Sequence, residues 1–245
     1  MRNYILDPSD FTFEPFHDER EHPGESGHLL LATHKANGMK LLVKHEVPSD
    51  IPNEFVAGFV AEHLGFYNPK VYLFKPGKEF KYAVGIEFME GLQRVDTTKL
   101  STEQQVDLIH QLSLCYLCYR DDRLQTRLWN NHLVTIDYAW SFSMDATAFP
   151  KRLAMFHLSL NDYSRHLFFI PKAAASVMGI NYEDVREEID RIYYEGLKPI
   201  ITLDREGLFD ILLYIFPQDI AGYYDACVEI MMEGTELELK EKGYL

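Results

Sequence analysis

Apolar residues recur with two different periods along this chain, and the change of period divides it. In the first part the apolar runs are short and repeat every second residue, the period of a pleated strand. HLLLATHK and MKLLVKHE flank Asn37-Gly38. An Asn-Gly pair between two apolar runs is the strongest short-range hairpin signal, because both turn positions must accept positive φ. Antiparallel strands are predicted over residues 28–35 and 39–45. A helix is predicted in PNEFVAGFVAEHLG: Pro52 suits a first turn, Phe55, Val56, Phe59, Val60 and Leu64 share one face, and Gly65 followed by Pro69 ends it. Two further strands are expected over residues 70–74 and 82–88, with a turn at Pro76-Gly77. The order is hairpin, helix, hairpin.

From about residue 98 the period becomes helical. Ser101 and Gln104 match a capping box, and Val106, Ile109, Leu112, Leu114 and Leu117 supply an apolar stripe reaching about Tyr119. TRLW and HLVTID then read as strands joined at Asn130-Asn131. Beyond Phe149 the pattern is helical. Asn181 caps a helix carrying Val185, Ile189 and Ile192, which Gly196 stops; residues 206–216 and 218–233 are two more helices divided by Pro217, and Gly234 stops the second. The expected fold is α+β with two lobes around a central cleft. Residues 1–91 form a small antiparallel β-rich lobe with one helix, and residues 92–245 a larger, mainly helical lobe.

A chain of 245 residues, 47% hydrophobic, can bury a core without disulfide or metal staples, and a 25% charged share excludes wholesale disorder. The net charge of -14 argues against broad binding to nucleic acid or an anionic membrane. Cys115, Cys118 and Cys227 are too few and odd in number for a disulfide framework. The C-x-x-C at Cys115 and Cys118 sits in a mostly apolar helical run, where buried thiols are a better reading than a redox or metal pair. The ten His show no H-E-x-x-H spacing. The N-terminus lacks a signal-peptide core and the longest apolar run, LFDILLYIF, is too short to span a bilayer, so a cytoplasmic location is expected.

Four features carry candidate chemistry. HPGESGHLL is a Gly-flanked turn entering a strand, where backbone N–H groups around Gly24, Ser26 and Gly27 could cradle phosphate; an ordinary turn has the same composition. Lys44 closes a strand and Glu54 opens the next helix, so a carboxylate could hold a phosphate-binding lysine, or the two could be unrelated surface charges. Lys40 shares the Lys44 strand face and is a rival donor. AVGIEFMEGL runs a strand through Glu87 and Met89 to a Gly turn, which fits a connector between lobes as well as a plain strand end. In YRDDRLQTRLWNNHLVTIDYAWSF, Asp122 follows a buried helix and Asp137 follows a strand, placements suited to a base and a metal-binding carboxylate.

The succession GESG, LLVK, NEFVAGFVAEHLG, VGIEFMEG, RDDR and VTIDYAWSF resembles the HipA-like kinases, which have an atypical protein-kinase-like fold distantly related to phosphatidylinositol kinases. The resemblance spans roughly residues 22–142. It implies an ATP- and Mg2+-dependent phosphotransferase acting on a protein hydroxyl, with a protein substrate or regulatory partner. Gly24, Ser26 and Gly27 would then cover the phosphates, Lys44 would bind them with Glu54 in support, and the backbone at Glu87 and Met89 would hold adenine. Asp122 would be the catalytic base and Asp137 the metal ligand. One departure stands out: the family has an Asn five residues after the catalytic Asp, whereas counting from Asp122 gives Arg127 and from Asp121 gives Thr126. Gln125 is the nearest amide that could replace it as a metal ligand. That altered loop leaves a pseudokinase, binding nucleotide or partner without catalysis, as the alternative. A kinase-like scaffold without a nucleotide site is a third reading, to be favoured if Lys44 stands more than a salt-bridge distance of about 4 Å from Glu54 and there is no cleft.

Overall fold

The computed structural model describes residues 4–16, 29–45, 50–118, 126–136, 138, 141–142 and 170–245. Strands β1 (Ile5–Leu6), β2 (Phe11–Pro15), β3 (Leu29–His34), β4 (Lys40–His45), β5 (Val71–Phe74) and β6 (Ala83–Glu87) build a six-stranded sheet in the order β1-β5-β6-β4-β3-β2. All neighbours pair antiparallel except β1, which runs parallel to β5. Helix α1 (Asp50–Leu64) packs on β5 and β6. The rest is helical: α2 (Thr102–Leu117), α3 (Ile170–Met178), α4 (Tyr182–Leu197), α5 (Arg205–Ile215) and α6 (Gln218–Glu241), with a hairpin of β7 (Thr126–Trp129) and β8 (His132–Thr135) against α2. The result is a two-lobed α+β architecture, a β-rich lobe followed by a helical one. No described helix is long and apolar enough to cross a membrane.

The sheet is apolar on both faces, for different reasons. Leu41, Val43, Ala32, Phe11, Phe74 and Phe80 form a small core on one face, with Phe11 and Phe80 meeting Phe74 and Phe13 edge-on. Val71, Leu73, Val84 and Ile86 on the other face join the main core beneath α1. Helix α1 is buried around nearly its whole circumference, Ile51 through Ala61, so it is a central helix rather than the one-faced helix its stripe predicts. At Gly58 it lies close against β5: an added Cβ would fall 2.5 Å from Val71 Cγ2.

Several expectations change. The Asn37-Gly38 turn is not a two-residue hairpin: the His34 amide donates to the Met39 carbonyl, the loop runs over residues 35–38, and of its residues only Gly38 has positive φ. His34 Nδ1 accepts from the Ala36 and Asn37 amides and so stabilises the longer loop. The two-residue turn occurs instead at Asn130 and Asn131, with φ of 48° and 68°. Gly196 does not end its helix; α4 continues through it to Leu197, and the missing side chain admits His110, whose Nε2 would lie 2.9 Å from a Cβ there. Gly234 likewise lies inside α6, buried, and that helix runs on to Glu241. Asn181 is the N-cap of α4 but makes no backbone cap bond, since its amide nitrogen donates to Asp184 Oδ2. The capping box at Ser101 and Gln104 has both of its reciprocal bonds. Strands β1 and β2 had no counterpart in the expected elements. Cys115, Cys118 and Cys227 are buried thiols.

Candidate functional site

Lys44 and Glu54 are joined as an ion pair, Nζ to Oε1. Register explains the meeting. Lys44 lies opposite Val84 and Leu42 opposite Ile86, so Lys44, Leu42 and Lys40 share the sheet face that looks toward α1. Glu54 lies in the first turns of α1, over that face. Its side chain is 3% exposed, a depth at which a carboxylate needs a cation partner. The neighbouring Asn53 is fully buried, and its Oδ1 accepts from the Tyr224 hydroxyl of α6 at 2.5 Å. Lys40 is exposed.

Beside Lys44 the same face carries Leu29 and Leu31 of β3, paired with Lys44 and Leu42. These leucines and Leu42 are only partly buried and stand outside both hydrophobic cores, leaving an apolar floor next to the cation. At the end of β6 the Glu87 amide donates to the Lys70 carbonyl at 2.8 Å, so the donor on that residue is engaged in the sheet. The Phe88 amide donates to the Lys40 carbonyl at 3.1 Å. Among the described residues the Met89 amide has no hydrogen-bond partner. A turn follows at Glu90 and Gly91, the latter with φ of 79°. Gln93 then pairs with Leu128 of β7 through two amide–carbonyl bonds of 2.9 and 3.0 Å, which ties the segment leaving the sheet to the helical lobe.

The β7–β8 hairpin is held from beneath by two polar residues one turn apart on α2. Asp107 Oδ2 accepts from the Leu133 amide and meets His132 Nδ1, each at 3.0 Å. Burial raises the Asp107 pKa, and those two partners oppose the rise. Gln111 Oε1 accepts from the Thr135 amide at 2.9 Å and from the Tyr138 hydroxyl at 3.4 Å, while its Nε2 donates to the Tyr67 carbonyl at 2.7 Å. Sequence reading passed over Asp107 and Gln111. Their signal was available: polar side chains at i and i+4 within an otherwise apolar helix need buried partners.

Of the residues named from the sequence, Lys44, Glu54, Glu87 and Met89 are described. Gly24, Ser26, Gly27, Asp122, Gln125 and Asp137 lie outside the described residues. Thr126 and Arg127, where the resemblance expects an Asn, are both in β7, opposite Thr135 and Val134. Thr126 is buried, and among the described residues its hydroxyl has no hydrogen-bond partner. The described groups suit a nucleotide in kind: a cation fixed by a buried acid, an apolar floor and an unengaged amide. Among the described residues no group of three or more His, Cys, Asp or Glu is gathered as for a metal ion.

No protein-family profile matches the chain, and no curated protein matches it. Among solved structures it is similar to the Helicobacter pylori proinflammatory kinase CtkA, with a TM-score of 0.52 and 14% identity over 96% of this chain and 94% of that one. A chain from the Shewanella oneidensis toxin–antitoxin complex of HipA, HipB and operator DNA aligns with a TM-score of 0.38 and 10% identity, over 86% of this chain and 58% of that one. The first likeness shows a shared kinase-like two-lobed fold at a distance where fold alone is shared.

Proposed function

We propose that this chain is a nucleotide-dependent phosphotransferase acting on a protein hydroxyl. The observation that carries the reading is the Lys44–Glu54 ion pair, formed on the sheet face beside an apolar floor in a fold shared with a kinase. Lys44 would hold phosphate oxygens as a point charge, and Glu54 would keep its ammonium from swinging away. The Met89 amide and Glu87 carbonyl would take the edge of the adenine, with Leu29, Leu31 and Leu42 against its face. Gly24, Ser26 and Gly27 would close over the phosphates. Asp122 would accept the proton of the attacking hydroxyl as its oxygen bonds to the terminal phosphorus and the nucleoside diphosphate leaves. Magnesium held by Asp137 and Gln125 would supply charge neutralisation.

Thr126 and Arg127 favour a second reading, a pseudokinase that binds nucleotide without transfer. Both lie in a strand ladder where the resemblance expects a metal-binding Asn. The closeness of Lys44 to Glu54 speaks against a scaffold without a nucleotide site. Incubation with labelled ATP, magnesium and candidate partner proteins, paired with nucleotide-dependent thermal shift, separates the readings. Label transfer by the wild type and none by Asp122→Ala supports the transferase. A shift without turnover supports the pseudokinase. Neither shift nor transfer overturns both.

A further inference from the structure

We propose that the outer face of α5 is a docking surface for a basic, apolar-anchored segment of a partner protein. Glu206, Asp210, Leu213 and Tyr214 are exposed and follow one another at i, i+4, i+7 and i+8, which places them along one side of the helix. Leu213 is 43% and Tyr214 61% exposed. Scattered apolar side chains on a surface are ordinary, but two adjacent ones on a short helix, with half-buried Phe209 one turn before Leu213, make a contiguous patch.

The platform beneath is fixed. Leu208, Ile211, Leu212 and Ile215 anchor the opposite side of α5 in the core. Asp204 caps the helix by accepting from the Gly207 amide at 2.9 Å. Arg205 forks onto Asp225 at 2.5 and 2.8 Å and reaches Glu229 at 2.6 Å, which ties α5 to α6. A surface already ordered loses little entropy when a partner binds.

Charge selects the occupant. Arg205, the one cation of α5, is engaged by two carboxylates. Glu206, Asp210 and nearby Asp219 have no ion-pair partner among the described residues. The chain as a whole carries a net charge of -14. A Lys- or Arg-bearing segment would set its cations on Glu206 and Asp210 and an apolar side chain on Leu213 and Tyr214, where a tyrosine also favours cations over its ring. A second copy pairing through the same face would bring no cation of α5 to Glu206 and Asp210, since Arg205 is already engaged, and an anionic lipid surface would be repelled.

The surface is independent of the nucleotide chemistry proposed above, and its test reads no phosphate transfer. Fluorescence anisotropy of the full chain is measured with a labelled helical peptide carrying Arg on two successive turns and Leu and Phe on the next two. A matching peptide with Glu in place of Arg is the control. The Arg peptide is expected to bind, with affinity falling as salt rises, and the Glu peptide is not. Tyr214→Ser and Asp210→Lys should each weaken binding about tenfold, while far-ultraviolet circular dichroism stays that of the wild type. Binding of both peptides alike, or no loss in either variant, overturns the proposal. So does self-association of the wild type that Tyr214→Ser abolishes, or Tyr214-dependent flotation with phosphatidylcholine vesicles.

Discussion

Glu54 of α1 and Lys44 of β4 form an ion pair in which the acid is the deeper member, 3% exposed against 17% for the lysine side chain. Burial is therefore asymmetric: the carboxylate side chain has surrendered nearly all of its water, while the lysine side chain keeps part of its contact with solvent. In the proposed transferase, a lysine held this way would present its charge to phosphate without needing to be reorganised.

That asymmetry sets the order of mutational costs. Lys44→Met removes the cation from a buried carboxylate and should destabilise the protein by about 3 kcal/mol in urea unfolding. The double variant Lys44→Met/Glu54→Leu removes both charges and should recover a large part of that loss, because apolar groups tolerate the site where a lone charge does not. A double variant no more stable than Lys44→Met would show that the pair is not what Glu54 depends on.

Most of the β-rich lobe could be read from the sequence because its cues are local. The period of two, Pro52 and Gly65 act on neighbouring residues, and β3 to β6 and α1 fall within a residue or two of where those cues put them. Strands β1 and β2 escaped notice because Ile5–Leu6 is too short to show a period, and Phe11–Pro15 ends in a Pro tolerated only on an edge. Gly196 and Gly234 misled for the opposite reason. Each looks like a helix stop locally, yet tertiary packing decides: at Gly196 it is the His110 ring that needs the space. At the candidate site, the Lys44–Glu54 pairing was legible from a strand followed by a helix. The Asn53–Tyr224 bond was not, since it joins residues 171 positions apart.

Gly58 tests how tightly α1 is pressed to the sheet. Replacing a helical Gly by Ala favours the helix by about 1 kcal/mol. Here the new Cβ would fall 2.5 and 2.6 Å from the two Val71 methyl carbons and 3.1 Å from its Cβ. Valine has no flexible end to move aside, and its strand is paired on both sides. Overpacking of this kind costs about 1–3 kcal/mol, so Gly58→Ala should lower the thermal midpoint on balance. Gly58→Ala combined with Val71→Ala should be less destabilised than the sum of the two single variants. Strict additivity in thermal unfolding would contradict the contact.

His110 gives the protein a pH dependence below neutrality. Its ring stacks on Phe66 with centroids 4.2 Å apart, and burial pushes its pKa down from 6.5 to about 4. The unfolded chain takes up a proton as pH falls through 6.5, whereas the folded chain resists until about 4. Between those values the unfolded state binds more protons, so stability rises with pH and is lost on acidification. Between pH 7 and pH 5 this contributes about 2 kcal/mol. Urea midpoints at the two pH values should differ less for His110→Gln than for the wild type, a comparison that cancels what Asp107 and other acids add to both. Equal differences would place the acid sensitivity elsewhere.

Asp137 and Asp122 should separate nucleotide binding from transfer. In the proposed transferase, Asp137 would hold the magnesium that supplies charge neutralisation at the phosphates, so Asp137→Ala would remove a direct ligand. Asp122 acts on the incoming hydroxyl and touches the nucleotide only in the reaction, so its loss should abolish transfer and spare affinity. The chain carries Thr126 and Arg127 where a second metal-binding Asn would stand, and both belong to the β7 ladder. Fewer ligands around the ion make each remaining one more important. Asp137→Ala should therefore weaken magnesium–ATP binding by roughly tenfold or more, about 1.4 kcal/mol, while Asp122→Ala leaves it near the wild-type value. Calorimetric titration of magnesium–ATP into both variants measures this directly. Unchanged affinity in both would remove Asp137 from the metal site, and the transferase reading would lose its second anchor after Lys44.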